Sequence, residues 1–245
     1  MNKLFYSLLF YCLSVSLSNE RETDNSLLFE RANESSMLII EDRLPIADPY
    51  VLFYKDKYYA YGTRTNGFEV YISDDLEHWR RGDRLALSPQ DSWAPEVYYI
   101  ETEKKFYMFY TVDEHICVAT SDSPEGPFVQ DEKKPLREEK GIDASLFMDD
   151  DGKAYLYFVR FTGGNVIWGV EMNSDLKSVK EETLRECIKA DASWELQQAK
   201  VAEGPSLLKR NGVYYLIYSA NHFRSQDYAV GYATATSPLG PWRKY

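Results

Sequence analysis

Four times in 245 residues the chain repeats one unit: a distinctive residue at a strand mouth, an apolar strand, a polar turn and a second, aromatic strand. Asp48-Pro49-Tyr50-Val51-Leu52-Phe53-Tyr54 passes through the turn Lys55-Asp56-Lys57 into Tyr58-Tyr59-Ala60-Tyr61. Ala94-Pro95-Glu96-Val97 precedes a turn at Glu101 to Lys105 and the run Phe106 to Tyr110. Asp143-Ala144-Ser145-Leu146 precedes Asp149 to Lys153 and Ala154 to Phe158, and Glu203-Gly204-Pro205-Ser206-Leu207 precedes Lys209 to Gly212 and Val213 to Tyr218. Aligning Val51, Val97, Leu146 and Leu207 spaces the units by 46, 49 and 61 residues. Self-similarity at about 40–50 residues, lengthened by insertions, is the period of propeller blades.

The units extend past the hairpin. Tyr71-Ile72-Ser73-Asp74-Asp75-Leu76-Glu77-His78-Trp79 has counterparts in Cys117 to Phe128 and in Gly231 to Trp242, with a weaker copy in Val170 to Leu176. Each full copy is a third strand, a Ser/Thr-rich turn and an aromatic placed to plug between blades. Short alternating runs separated by turn signals, repeated in series, predict an all-β propeller with four blades visible. A sandwich of stacked hairpins is the competing arrangement.

Residues 1–18 read as a signal peptide, with Lys3, an apolar run from Leu4 to Leu17 and small residues at Ser16 and Ser18. The run is too short for a membrane span, so export without membrane insertion is expected. A lipid anchor on Cys12 is disfavoured by the bulky Phe10 and Tyr11 before it. Residues 19–43 form a polar N-terminal segment in which Met37 to Ile40 is a candidate strand, and residues 44–245 form one propeller domain. Cys117 and Cys187, in separate repeats, supply no disulfide framework, so the fold rests on its core. A net charge of −11 disfavours nucleic acid and anionic lipid and leaves a neutral partner such as an oligo- or polysaccharide. The 20 tyrosines and 5 tryptophans fit that partner, although most are expected between blades. The insertion Glu181 to Val201 accounts for the longest spacing and reads as a loop with a helical turn. The chain has no glycine-rich phosphate loop, zinc cluster or Gly-x-Ser-x-Gly elbow.

The first strand of every blade lines a propeller's central channel. Asp48, Asp143 and Glu203 open three such strands, so all three carboxylates are expected at one channel mouth. Cleaving a glycosidic bond needs one protonated carboxyl for the leaving oxygen and one carboxylate to activate water. A third negative group raises the acid's pKa by repulsion. The trio therefore points to glycoside hydrolysis without metal chemistry.

Ala47-Asp48-Pro49, Trp93-Ala94-Pro95-Glu96-Val97, Ile142-Asp143-Ala144-Ser145-Leu146-Phe147 and Ala202-Glu203-Gly204-Pro205 resemble the signature blocks of glycoside hydrolase family 43, and Ser237 to Trp242 is a further similar block. The resemblance runs from Leu44 to the C-terminus. It implies a five-bladed β-propeller that hydrolyses with inversion, mostly at arabinose or xylose units of plant glycans and sometimes on galactans. By this resemblance Asp48 is the general base, Glu203 the general acid and Asp143 the residue that tunes and orients the acid. Trp93 would wall the pocket at the −1 subsite. Family members continue into a fifth blade whose histidine often helps hold a calcium or sodium ion. Here four units precede Tyr245 and no block matches, so the domain is expected to be incomplete at its C-terminal side, with no metal site. His78 belongs to an inter-strand turn and His115 to a hairpin. His222 reads as a loop histidine, with the pocket border as its alternative.

These residues predict an exported inverting glycosidase releasing terminal α-L-arabinofuranosyl or β-D-xylosyl residues. The alternatives are a carbohydrate-binding propeller without catalysis, an interaction scaffold, and a truncated hydrolase inactive by itself. A missing blade further predicts a gap between the first and fourth units, with Met37 to Ile40 lying along it.

Overall fold

The structure, a computed structural model, describes residues 39–40, 44–65, 67–82, 86–87, 91–130 and 134–245, with Ile39 and Ile40 described by backbone alone. The expected signal peptide lies outside these residues, as do Met37 and Leu38. Strands radiate in four sheets, one per repeat. The first blade contains β1 (Ile39–Ile40), β2 (Ala47–Tyr54), β3 (Lys57–Thr63), β4 (Val70–Ser73) and β5 (Trp79–Arg81). The second has β6 (Ser92–Ile100), β7 (Lys105–Val112) and β8 (His115–Ser121), and the third β9 (Ile142–Met148), β10 (Ala154–Phe161), β11 (Asn165–Glu171) and β12 (Arg185–Lys189). The fourth has β13 (Ala202–Arg210), β14 (Val213–Ala220), β15 (Ala229–Ala235) and β16 (Arg243–Lys244). All ladders between named strands are antiparallel, as short polar hairpins require.

Period-two alternation gives each blade two apolar faces, and neighbouring blades bury them against each other. Tyr59, Tyr61 and Val70 of the first blade pack with Val97, Met108 and Phe128 of the second. Phe109 and Ile116 meet Leu146, Leu156 and Phe158 across the next interface, and Tyr157 and Ile167 meet Leu216 and Tyr218 across the third. Burying each such side chain is worth about 1.5–3 kcal/mol. The plugging aromatics behave as expected at two interfaces: Phe128 lies edge-on to Tyr61, and Trp242 edge-on to Tyr157. Those two tyrosines also donate their hydroxyls to the Pro124 and Pro238 carbonyls in the turns of the next blade.

Packing joins first to second, second to third and third to fourth blade; among the described residues no comparable packing joins β13 back to β2. The third plug, Trp79, packs instead on the free face of the first blade under Leu44 and Ile46. Among the described residues nothing covers the free face of the fourth blade. Tyr232 occupies the register position that Val70 holds in the first blade, yet it is 43% exposed where Val70 is fully buried.

Two local expectations change. Ile39–Ile40 does not lie along the gap but pairs with Trp79 and Arg80 on the outer edge of the first blade. The segment 181–201, expected as a loop with a helical turn, has two 3₁₀ turns, Glu181–Thr183 and Ser193–Leu196, and between them supplies the strand β12. An outermost strand that buries only Ile188 shows little apolar pattern in sequence. The rest of this segment is pinned to the fourth blade. The fully buried Glu195 accepts hydrogen bonds from Tyr218 at 2.5 Å, Lys244 at 2.6 Å and the Asp191 and Ala192 amides at 2.8 Å. Trp194 stacks on Tyr218, in space that only Gly231 leaves open: a Cβ there would come within 2.7 Å of the indole.

Candidate active site

At the same end of every blade the pairing of first and second strands slips by one residue. The slips fall between Ala47 and Tyr50, Trp93 and Glu96, Ile142 and Ser145, and Glu203 and Ser206. Each bulge holds one residue in the left-handed region: Asp48 (φ 47°), Ala94 (49°), Asp143 (55°) and Gly204 (57°). A bulge at the rim of a sheet re-aims side chains, and aspartate and glycine tolerate this backbone well. Asp48 and Asp143 hold the left-handed place itself. Glu203 stands one residue earlier, and Trp93 holds that same earlier place in the second blade.

Hydrogen bonds between adjacent blades fix this ring. Thr63, ending β3, accepts the Ala94 amide at 2.9 Å and donates to Asp48 Oδ2 at 2.5 Å. Thr111, at the matching place in β7, accepts the Asp143 amide at 3.3 Å. The Gly204 amide donates to Asp143 Oδ2 at 3.1 Å, tying the residue beside Glu203 to the third blade. Both carboxylate oxygens of Glu203 are held: Asn165 Nδ2 donates to Oε2 and the Tyr228 hydroxyl to Oε1, each at 3.0 Å. Asn165 is itself placed by the insertion, its amide donating to the Lys200 carbonyl at 2.9 Å. Glycine is required beside it, because a Cβ at Gly164 would sit 2.3 Å from that carbonyl.

The three carboxylates feel one another. Burial, then the charges of Glu203 and Asp48, push Asp143 up to about 7 despite the Gly204 amide. Burial is also the largest influence on Glu203, and with Asp48 it raises that carboxyl against the opposing hydrogen bonds from Tyr228 and Asn165. Both carboxyls are thus held above the ordinary carboxylate range, the direction a general acid needs.

The mouth therefore brings together Asp48, Asp143 and Glu203, with Trp93 half-buried on the same ring. His222 satisfies its loop, accepting the Arg224 amide at 3.1 Å, and also borders the site, lowering the Glu203 pKa by its charge. Its ring stacks on the exposed Phe223. His78 pairs with Asp75 in the turn between β4 and β5, and His115 bonds the Asp113 and Glu138 carbonyls. Among the described residues no three His, Cys, Asp or Glu side chains converge as ligands of a metal ion.

A family description, glycosyl hydrolases family 43, matches residues 42–245. The chain belongs to glycosyl hydrolase family 43. This is a family of enzymes that hydrolyse glycosidic bonds, and its solved members similar to this chain are five-bladed propellers, of which four blades are described here. The crystal structure of an endo-1,4-beta-xylanase from Bacteroides thetaiotaomicron is 61% identical with a TM-score of 0.81, over 86% of this chain and 75% of that one. A beta-xylosidase from Xylanibacter ruminicola is 31% identical over 80% of this chain and 77% of its own length. A beta-D-galactofuranosidase from Aspergillus niger is 28% identical over 80% of this chain, which spans only 62% of that relative's length.

Sequence reasoning did not find Asn165, Tyr228 or Glu96 as site residues. The first two reach Glu203 from 38 and 25 residues away. Glu96 had a signal: it stands at the same repeat position as Ser145, immediately past the bulge that holds the mouth residue.

Proposed function

We propose that this family 43 member is an exported, inverting glycosidase that removes terminal β-D-xylosyl or α-L-arabinofuranosyl residues from xylan-type glycans. Glu203 donates its proton to the glycosidic oxygen as the bond from the anomeric carbon breaks. Asp48 takes a proton from water, whose oxygen bonds to that carbon on the opposite face, so the product sugar has inverted configuration. Asp143 orients Glu203 through the Gly204 amide and shares its proton, and Trp93 walls the −1 subsite. The observation that supports this reading best is the hold on Glu203: both oxygens are fixed, beside a second carboxyl coupled to it and with Asp48 on a separate blade. The xylose-related names of two relatives favour the sugar class. Export rests on residues 1–18, and among the described residues no helix is long and apolar enough to cross a membrane.

The test is to incubate the chain with nitrophenyl β-D-xyloside, α-L-arabinofuranoside and β-D-galactoside and follow the anomeric protons by NMR. Hydrolysis of a xyloside or arabinofuranoside with an inverted first product is expected. A retained configuration, or turnover of the galactoside alone, overturns the assignment.

A further inference from the structure

Directly below the catalytic ring lies a second layer built from the first residue past each bulge. In the first three blades these are Tyr50, Glu96 and Ser145, at matching register. They are joined through Tyr98. Its hydroxyl donates to Glu96 Oε2 and accepts the Leu146 amide at 2.9 Å, so the second blade is bonded to the strand that carries Asp143. The Ser145 side chain, on that same strand, faces Glu96 and opposes the rise in its pKa. The ring of Tyr50 lies 5.3 Å from that of Tyr98.

We propose that Glu96 is a positioning residue for Asp143, the hub of a side-chain layer that stitches the first strands of three blades together beneath the catalytic mouth. The role follows from position. Asp48 and Asp143 stand on the first and third blades, so the angle between their strands is set through the second, and Glu96 with Tyr98 adds a polar contact to the third blade beneath the bonds made by Thr63 and Thr111. A glutamate serves here because its neutral carboxyl can accept from one neighbour and donate to another. The ionisable groups facing it are Tyr98 on its own strand, Tyr50 on β2 and Asp143 on β9, none of them cationic. Burial, then the Asp143 charge, push Glu96 up to about 8 against hydrogen bonds from Tyr98 and Ser145. At neutral pH it therefore holds the layer without adding charge beside Asp143.

This inference rests on the proposed function for the role of Asp143, so its test has one readout apart from turnover. Carbon-13 carboxyl titration of the full chain is expected to show a group with midpoint near 8. That group disappears in Glu96→Gln and moves down by about half a unit or more in Asp143→Asn, where the neighbouring charge is gone. In turnover, Glu96→Ala is expected to lower kcat about ten-fold or more with KM within about two-fold, the mark of lost transition-state positioning. Glu96→Gln restores most of that loss but deletes the highest ionisation from the pH profile of kcat/KM. Parental kcat and pH profile in Glu96→Ala overturns the inference, as does a parent chain in which Glu96 titrates like an ordinary carboxylate. If the parent hydrolyses no glycoside, the functional reading fails and the titration decides alone: a Glu96 midpoint unmoved by Asp143→Asn overturns the positioning role, and a downward shift supports it.

Discussion

Asn165 on the third blade donates its side-chain amide to Glu203 on the fourth at 3.0 Å, and so the candidate acid is shared between two blades. Tyr228 holds the other oxygen from the fourth blade itself. Both bonds favour the ionised form and work against burial. In Asn165→Ala and Tyr228→Phe the Glu203 pKa should therefore rise. The basic limb of kcat/KM should move to higher pH, while kcat falls about ten-fold from lost orientation. A pH series with each variant measures both effects.

Asp48→Asn removes the proposed base, and Glu203→Gln the proposed acid. Each should cost about 10²–10⁴ in kcat on natural oligosaccharides. The Glu203→Gln loss should shrink on nitrophenyl glycosides, whose leaving group needs little protonation. Comparing the two substrate types in steady-state assays checks the assignment of acid against base.

Asp143→Asn should move the basic limb of the profile downward, because the carboxyl held near 7 is gone. The same substitution should stabilise the fold at alkaline pH. A carboxyl raised in the folded state, here from 3.8 to about 7, contributes stability below its unfolded pKa that is lost as pH rises through the folded value. Asparagine carries no such penalty. Thermal melts at pH 5 and pH 8 should show the variant gaining on the parent more at the higher pH, by about 2–4 °C per kcal/mol recovered.

Glu195→Ala should destabilise the chain by about 3–5 kcal/mol, since it leaves Lys244, Tyr218 and two amides without their buried acceptor. Denaturant unfolding measures this cost. Activity should fall as well under conditions where the variant remains folded, because the insertion pinned by Glu195 also places Asn165.

Truncation should cost very different amounts on the two faces of the propeller. Tyr157→Ala empties an inter-blade site and should lose about 3–5 kcal/mol. Tyr232→Ala, on the bare face of the fourth blade, should change stability by less than about 1 kcal/mol. Equal losses from the two would show that the bare face is covered in solution.

What the sequence determined by itself was the repeat, and with it the blades, the strand mouths and the meeting of Asp48, Asp143 and Glu203. These were legible because they depend on period-two patterning, turn residues and one motif recurring in order, all local properties of the chain. The tertiary structure alone decided how the acids are tuned. Asn165, Tyr228 and Gly204 act on Glu203 or Asp143 through contacts between segments distant in sequence, and Glu96 is one of 39 acidic residues until the register places it under the ring. β12 and the Glu195 anchor escaped notice for a related reason. A strand with one buried side chain and a buried charge paired across 49 residues leave no periodic trace, because their energy comes from partners that only folding brings near.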